Sequence, residues 1–238
     1  MATNRRHLKR HSMPISWPLA RKEATFVTAP NSGSFKRDYV VPLIVVLRDY
    51  LKYVKNKKEA NYVVHNSLVY VNGKEVDDVR HACGMFDLIE FPTSQEKFVI
   101  LFNEFGRMKM VSVDDNNLYL RVKNKRVVKG GEKQLNFENG YNLKVDDKTF
   151  SSVSVTDTVV YDVKEKKVVN TVPLKKGSYV YIFDGKFKGR LGKVSSIEKF
   201  NGLARDVAEV EIEGESRSTA KEYCFAVGTK KEDLKRFE

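Results

Sequence analysis

The chain has 238 residues, of which 41% are hydrophobic, and this predicts one or two folded domains and excludes a largely disordered chain. Its 43 lysines and arginines outnumber 31 acidic residues, and the formal net charge of +12 favours a polyanionic partner. The apolar runs fall short of the roughly 20 residues that cross a bilayer, so the sequence predicts no membrane partner and favours nucleic acid.

The N-terminus lacks the apolar core and cleavage site of a secretory signal, which predicts a cytoplasmic protein. Cys83 and Cys224 lie far apart in sequence, as is typical of reduced structural thiols. The chain has no C-x-x-C pair and no Cys/His cluster with zinc-ligand spacing. The sequence therefore predicts no metal site and no cofactor.

Residues 1–41 are predicted to form a basic N-terminal extension. The stretch has no acid before Glu23, so its cations repel one another unless they pair with phosphates. Trp17, between Pro14 and Pro18, indicates a segment that docks, either by stacking on a base or by filling a protein groove. The alternative is a solvated tail. The candidate RNA contacts of the extension are Arg5, Arg6, Lys9, Arg10, Trp17, Arg21, Lys22, Lys36 and Arg37.

Residues 42–93 are predicted to form a small domain that starts with two helices. Pro42 precedes an apolar stripe at helical spacing, which includes Leu47 and runs to Val54. A second short helix is predicted from Asn56 to Asn66. Cations on the other face of the first helix predict an RNA-facing ridge, although they equally suit a solvated helix surface. The candidate contacts are Arg48, Lys52, Lys55 and, in the second helix, Lys57.

A hairpin and a strand complete this predicted domain. Asn72-Gly73 separates two short β-type runs and is the strongest local hairpin signal in the chain. Met85 to Phe91 predicts the next strand. Two helices, this hairpin and the spacing of Gly84, Asp87 and Ile89 resemble the S4-type RNA-binding domain, in which the helix pair faces RNA.

Residues 94–172 are predicted to form a central β domain. In the strand from Leu118 to Lys125, apolar side chains alternate with cationic ones. The pattern predicts a buried face and a cationic edge beside Tyr119, which is suited to single-stranded nucleic acid. The candidate contacts on this edge are Arg121, Lys123 and Lys125.

Residues 173–228 are predicted to form a small SH3-like β-barrel, followed by a charged tail at 229–238. Between two apolar strands from Val180 to Val194, three glycines permit a tight turn that approaches a ligand closely. A common glycine turn with solvated lysines is the alternative. A Walker loop fits less well, because Val194 follows Lys193 and Phe187 takes the place of the first glycine. The segment resembles the KOW motif. Its candidate RNA contacts are Lys186, Lys188, Arg190 and Lys193.

Read together, these segments resemble the small-subunit ribosomal protein S4e family of archaea and eukaryotes, at archaeal length. The matching pieces are H-L-K-R at 7–10, P-L-I-V-V-L-R at 42–48, L-K-Y at 51–53, V-N-G-K at 71–74 and G-R-L-G-K-V at 189–194. The resemblance implies an α+β, mostly β protein of the ribosome. It implies contacts with small-subunit rRNA and neighbouring ribosomal proteins, and no enzymatic activity.

Two other functions compete with this one. Asp114-Asp115 and Asp146-Asp147 are paired carboxylates, but each pair borders Asn or Lys in a predicted turn, where aspartate is common. The sequence has no nucleophile elbow, H-E-x-x-H helix or Rossmann fingerprint, so it predicts no catalytic site and no small-molecule substrate. An RNA modification factor, or a transcription or assembly factor with S4-type and KOW modules, remains the alternative.

Overall fold

A computed structural model describes residues 7–200, 205–229, 234, 236 and 237. The chain divides into two compact units, the first made of residues 1–101 and 107–115 and the second of 102–106 and 116–238. The described part is mostly β with a few short helices, which confirms the predicted fold class.

The first unit contains nine strands and two helices among its described residues. The strands are β1 His7–Lys9, β2 Phe26–Thr28, β3 Val40–Pro42, β4 Tyr70–Val71, β5 Lys74–Glu75, β6 Ala82–Gly84, β7 Leu88–Phe91, β8 Glu96–Phe102, whose last residue belongs to the second unit, and β9 Met108–Ser112. The helices are α1 Leu43–Val45, which continues as a π-helical turn over Val46–Tyr50, and α2 Lys57–His65. Short 3-10 turns occupy Arg10–Ser12 and Arg37–Tyr39.

Three antiparallel sheets organise these strands. β1 pairs with β2, β3 pairs with β6, and the other five lie in the order β5-β4-β7-β8-β9. In the five-stranded sheet, Leu88 of β7 faces Val99 of β8, and both are buried. The sheet pairing thus joins β8 and β9, which the sequence predicted in the central domain, to the strands predicted for residues 42–93.

The helix after Pro42 is shorter than predicted. Its apolar side is correct, since Leu43 and Leu47 are fully buried. The helix widens because the Leu51 amide donates to the Val46 carbonyl, five residues back, at 3.0 Å. Lys52 then adopts a left-handed φ of 58°, which ends the helix before Lys55.

The second helix begins where its sequence predicts. The Asn56 side chain accepts a hydrogen bond from the Glu59 amide at 3.0 Å, and Glu59 in turn accepts from the Asn56 side chain at 2.8 Å. The first of these bonds satisfies a backbone amide that the first turn leaves unpaired, and the second links the two side chains. Ala60 and Val64 are buried, so this side of α2 packs into the protein interior.

The Asn72-Gly73 hairpin is confirmed and is bound to a buried aspartate. Both turn residues have positive φ, 53° at Asn72 and 71° at Gly73, as a tight hairpin requires. Asp87 accepts from the Asn72 side chain at 2.7 Å and from the Gly84 amide at 2.5 Å. Residues 85–87 form a second turn, which the bond from the Gly84 amide to Asp87 closes. The predicted strand therefore begins at Leu88 and not at Met85.

Among its described residues, the second unit contains ten strands and one helix. The strands are β10 Asn117–Val127, β11 Lys133–Phe137, β12 Asn142–Lys144, β13 Thr158–Asp162, β14 Lys167–Val172, β15 Tyr179–Ile182, β16 Leu191–Glu198, β17 Val207–Ile212, β18 Glu215–Ala220 and β19 Cys224–Gly228. The helix is α3 Asp147–Ser152, and a 3-10 turn occupies Lys221–Tyr223. The strands form two five-stranded antiparallel sheets in the orders β12-β11-β10-β13-β14 and β18-β17-β16-β15-β19.

One hydrophobic cluster joins the two sheets of this unit. Val160 and Val172 from β13 and β14 pack with Val180 of β15, Val210 of β17 and Ala226 of β19. Leu118, Leu120 and Val122 of β10 are buried as predicted, on the face opposite to Tyr119, whose side chain packs against this cluster. The predicted central domain and the predicted KOW barrel therefore share a core, while their boundary at residue 173 stays a prediction.

Candidate nucleic-acid interface

Trp17 of the N-terminal extension lies in the protein core. Its side chain is 2% exposed, and the indole Nε1 donates to the Val40 carbonyl at 2.8 Å. Of the two roles predicted for this residue, the structure shows the protein groove. The assignment of Trp17 to RNA binding was therefore wrong, because a buried ring leaves no face for a base.

Arg10 is likewise held inside the extension. It is 7% exposed, and its Nη2 lies 2.8 Å from the Glu23 carboxylate, so its candidate role as a solvent-facing phosphate contact is wrong. Arg21 is exposed, and its guanidinium reaches the His11 carbonyl at 3.0 Å. Arg5 and Arg6 lie outside the described residues. The remaining predicted cations of the extension, Lys9, Lys22, Lys36 and Arg37, are exposed.

The predicted cationic ridge on the first helix does not form. Arg48 lies in the π-helical turn, where its Nη2 pairs with the Asp49 carboxylate at 2.8 Å. Lys52 and Lys55 follow the end of the helix, so the spacing that would align three cations on one helix face does not apply. Lys52, Lys55 and Lys57 are nevertheless exposed around the turn that joins the two helices.

Two of the three cations predicted to form an edge on β10 are held by contacts within the protein. Arg121 is 4% exposed, and its Nη1 bonds both Glu138 at 2.9 Å and the Glu222 carbonyl at 2.8 Å. Burial raises the pKa of Glu138, and the charge of Arg121 opposes that shift. This pair serves the core of the second unit, so Arg121 is not available to RNA.

Lys125 is also engaged within the protein. Its ammonium lies 2.6 Å from the Val153 carbonyl and 4.5 Å from the centre of the Phe150 ring, where it closes the C-terminal end of α3. The ring of Tyr119 is partly buried and meets Phe237 edge-on at 5.1 Å. Lys123 is the exposed cation among the three candidates on this strand.

The glycine turn between β15 and β16 is built as predicted. Gly185 and Gly189 have φ of 83° and 85°, in the left-handed region that favours glycine. A Cβ on Gly189 would lie 2.0 Å from the Asn103 carbonyl oxygen, so this turn packs directly against the backbone of residues 102–106. Tyr181, fully buried, fixes the same backbone by donating to the Phe102 carbonyl at 2.8 Å.

Four cations lie in or beside this turn, and they differ in exposure and in their contacts within the protein. Lys186 and Lys193 are exposed. The Lys188 ammonium sits 3.6 Å above the centre of the Phe102 ring. Arg190 lies 3.8 Å from the Glu213 carboxylate, with 37% of its side chain exposed. The turn thus presents Lys186 and Lys193 to solvent and uses Lys188 partly to fix its own conformation.

Sequence patterns missed the acids that pair with three of the candidate cations. Glu23, Glu138 and Asp49 each pair with a cation that was predicted to contact RNA. Only the Arg48–Asp49 pair carried a local signal, because its members are adjacent in sequence. Over the described ranges, the structure shows no cluster of three or more His, Cys, Asp or Glu suited to a metal. In the same part of the chain, no helix has the length and apolar character to cross a membrane.

Family models match three stretches of the chain. The RS4NT (NUC023) domain matches residues 3–36, Ribosomal family S4e matches 94–168, and the KOW motif matches 176–213. The KOW match includes the glycine turn and the strands around it. Fold and matches together define a β-rich protein of the KOW-containing, nucleic-acid-binding class.

Full-length relatives narrow this class to one family. The chain is 34% identical to small ribosomal subunit protein eS4 of Methanococcus maripaludis, and 94% of each chain is covered. It is 36% identical to the eS4 protein of Methanococcus aeolicus, with 95% of this chain and 96% of the relative covered. The chain belongs to the small ribosomal subunit protein eS4 family.

A solved structure agrees with this assignment. The crystal structure of the 30S ribosomal protein S4e from Thermoplasma acidophilum aligns with a TM-score of 0.67 and 28% identity, over 82% of this chain and 97% of that one. The predicted family is therefore confirmed. The prediction that the chain is not an enzyme is confirmed with it, because eS4 proteins are structural, non-enzymatic components.

Proposed function

We propose that this protein is a structural component of the small ribosomal subunit in the cytoplasm, where it contacts small-subunit rRNA and neighbouring ribosomal proteins. The observation that carries the proposal is the match to eS4 proteins over 94% of both chains. An RNA-modifying enzyme is not favoured, because the family is non-enzymatic. A transcription or assembly factor is not favoured either, because the relatives that match over most of the chain are small ribosomal subunit proteins.

The proposed rRNA surface consists of exposed cations, since these can neutralise phosphates and release counterions without first breaking a buried pair. Arg5 and Arg6 remain candidates on sequence grounds. Arg48 and Arg190 contribute only if they exchange an acidic partner for phosphate. The exposed members are Lys9, Arg21, Lys22, Lys36, Arg37, Lys52, Lys55, Lys57, Lys123, Lys186 and Lys193.

We expect the protein to sediment with small subunits and whole ribosomes, in an amount equal to that of other small-subunit proteins. Quantitative mass spectrometry of sucrose-gradient fractions measures the ratio of this protein to other small-subunit proteins. A moderate salt wash serves as the control, because a transiently bound factor would be released and an integral component retained. Most of the protein in the ribosome-free fractions would contradict the proposal.

We expect Lys186→Ala with Lys193→Ala to weaken binding of the free protein to small-subunit rRNA and to flatten its salt dependence. Each lost phosphate contact reduces the slope of log affinity against log salt by about 0.7 to 0.9. The matched control, Lys129→Ala with Lys167→Ala, removes the same charge from exposed positions outside the proposed surface. Equal slopes for the two double variants would remove the glycine turn from the rRNA surface.

A further inference from the structure

A cleft in the second unit lies outside the cation set proposed above. Its volume is about 580 Å³, within the roughly 300 to 1,000 Å³ of ligand pockets in proteins. Four lysines line it, two from the turn before β15, one just after β16, and one from the 3-10 turn before β19. They are Lys175, Lys176, Lys199 and Lys221.

The carboxylates near this cleft leave it positively charged. Asp157 is 6% exposed, and its two oxygens accept from the Ser154 amide at 2.8 Å and the Leu174 amide at 3.0 Å. Asp206 lies 3.4 Å from the Lys221 ammonium. Lys175, Lys176 and Lys199 are exposed, so three cations remain to meet an anionic ligand.

The backbone that carries the first two lysines is fixed before any ligand arrives. The Ser178 amide donates to the Lys175 carbonyl at 3.1 Å, and the Ser178 hydroxyl donates to the Pro173 carbonyl at 2.9 Å. Gly177, with φ of 90°, donates to the Val194 carbonyl at 2.8 Å and joins the turn to β16. A fixed backbone lowers the conformational entropy that binding must overcome.

The lining also offers apolar surface between the cations. Val155 is 49% exposed, although its neighbours in sequence are held by backbone hydrogen bonds. Ile197 and Leu174 also line the cleft. Small inorganic anions gain little from such surface, whereas a nucleotide combines phosphates with an apolar base face. A duplex is convex, and its bases are stacked away from a concave site.

We propose that this cleft binds a single-stranded segment of small-subunit rRNA, with phosphates against Lys175, Lys176 and Lys199 and one unstacked base against Val155 and Ile197. The inference rests on the proposed function. It adds where on the protein the rRNA binds and that the bound rRNA segment is single-stranded. Single-stranded RNA exposes both groups that the cleft can bind, which is why loops and ends are common protein targets.

The test compares two triple variants of the full chain with equal loss of charge. One removes the cleft lysines, Lys175→Ala, Lys176→Ala and Lys199→Ala, and the other removes the exposed lysines Lys129, Lys148 and Lys167 in the same way. The probes are a uridine oligomer of about ten nucleotides, a duplex of the same length, and small-subunit rRNA. On the single strand, the cleft variant is expected to reduce the salt slope by about 2, at roughly 0.7 for each lost contact, and the control variant to leave it unchanged.

A further variant tests the base contact. Val155→Ala removes apolar surface from a half-exposed side chain, so it is expected to weaken binding of the single strand about two- to threefold, with no change in the salt slope. Unchanged affinity would overturn the base contact. Equal slopes for the two triple variants, or an equal effect on duplex and single strand, would overturn the cleft. Wild-type protein that binds no small-subunit rRNA would instead contradict the proposed function, which gradient sedimentation tests independently.

Discussion

Gly189→Ala is expected to destabilise the second unit by about 3 kcal/mol or more, by combining backbone strain with overpacking. The residue has φ of 85°, which costs an L-amino acid about 1 to 2 kcal/mol. Its new methyl group would lie 2.0 Å from the Asn103 carbonyl oxygen and 2.5 Å from the carbonyl carbon. Both obstacles are backbone atoms, so no side-chain rotation relieves the clash.

Gly130→Ala is the matched control for this prediction. Gly130 has a similar φ of 92°, but no atom lies within 4 Å of the position that the new methyl group would take. The control therefore carries only the strain of the left-handed backbone, and the difference between the two variants isolates the contact with Asn103. Thermal unfolding followed by circular dichroism is expected to show a drop in Tm of about 10 °C for Gly189→Ala and of less than half of that for Gly130→Ala. Equal shifts would show that the turn moves away from Asn103 at little cost.

Features with local causes were predictable from the sequence. Asn72-Gly73 makes its hairpin because both residues tolerate positive φ, and Asn56 begins its helix because its side chain caps the amide of Glu59. The glycine turn after β15 follows from Gly185 and Gly189 in the same way. Each of these depends on residues fewer than five positions apart, so the chemistry is visible in the linear sequence.

The fate of individual cations was not predictable in this way. Arg10 and Glu23 are 13 residues apart, and Arg121 and Glu138 are 17 apart, so folding alone brings each pair together. An alternating pattern marks Arg121 as opposite to Leu120 on β10, but the second sheet of the unit and the Glu222 carbonyl cover that side as well. A cation in a strand pattern is therefore not necessarily exposed, whereas Lys186 in the glycine turn is.

The end of the first helix shows a different limit. Apolar spacing continues to Val54, which is buried, yet the helix stops at the left-handed Lys52 without a glycine. The Tyr53 amide reaches back to the Leu47 carbonyl at 2.9 Å, so the chain turns while it keeps its apolar side chains in the core. Periodicity reports which residues are buried, and it does not report whether a regular helix buries them.

Asp87→Ala is expected to destabilise the first unit by about 3 kcal/mol. Asp87 is 5% exposed, and it accepts from the Gly84 amide and the Asn72 side chain. Asn72 in turn accepts from the Leu88 amide at 2.9 Å, so one carboxylate links the hairpin turn to the start of β7. Its removal leaves a buried amide without an acceptor, which costs about 1 to 3 kcal/mol, and loosens the Asn72 contact as well.

Asp77→Ala is the control, because Asp77 is an exposed aspartate of the same unit and its replacement is expected to change stability by less than about 0.5 kcal/mol. Urea unfolding of both variants provides the comparison.

Burial raises the pKa of Asp87, and the hydrogen bonds from Asn72 and Gly84 oppose the shift. A raised pKa means that the group contributes most stability below its unfolded pKa of about 3.9 and loses that contribution as pH rises through the folded value. The loss of unfolding free energy in Asp87→Ala is therefore expected to be larger at about pH 4 than at about pH 7. A larger loss at the higher pH would show that the hydrogen bonds outweigh burial in setting the pKa of Asp87.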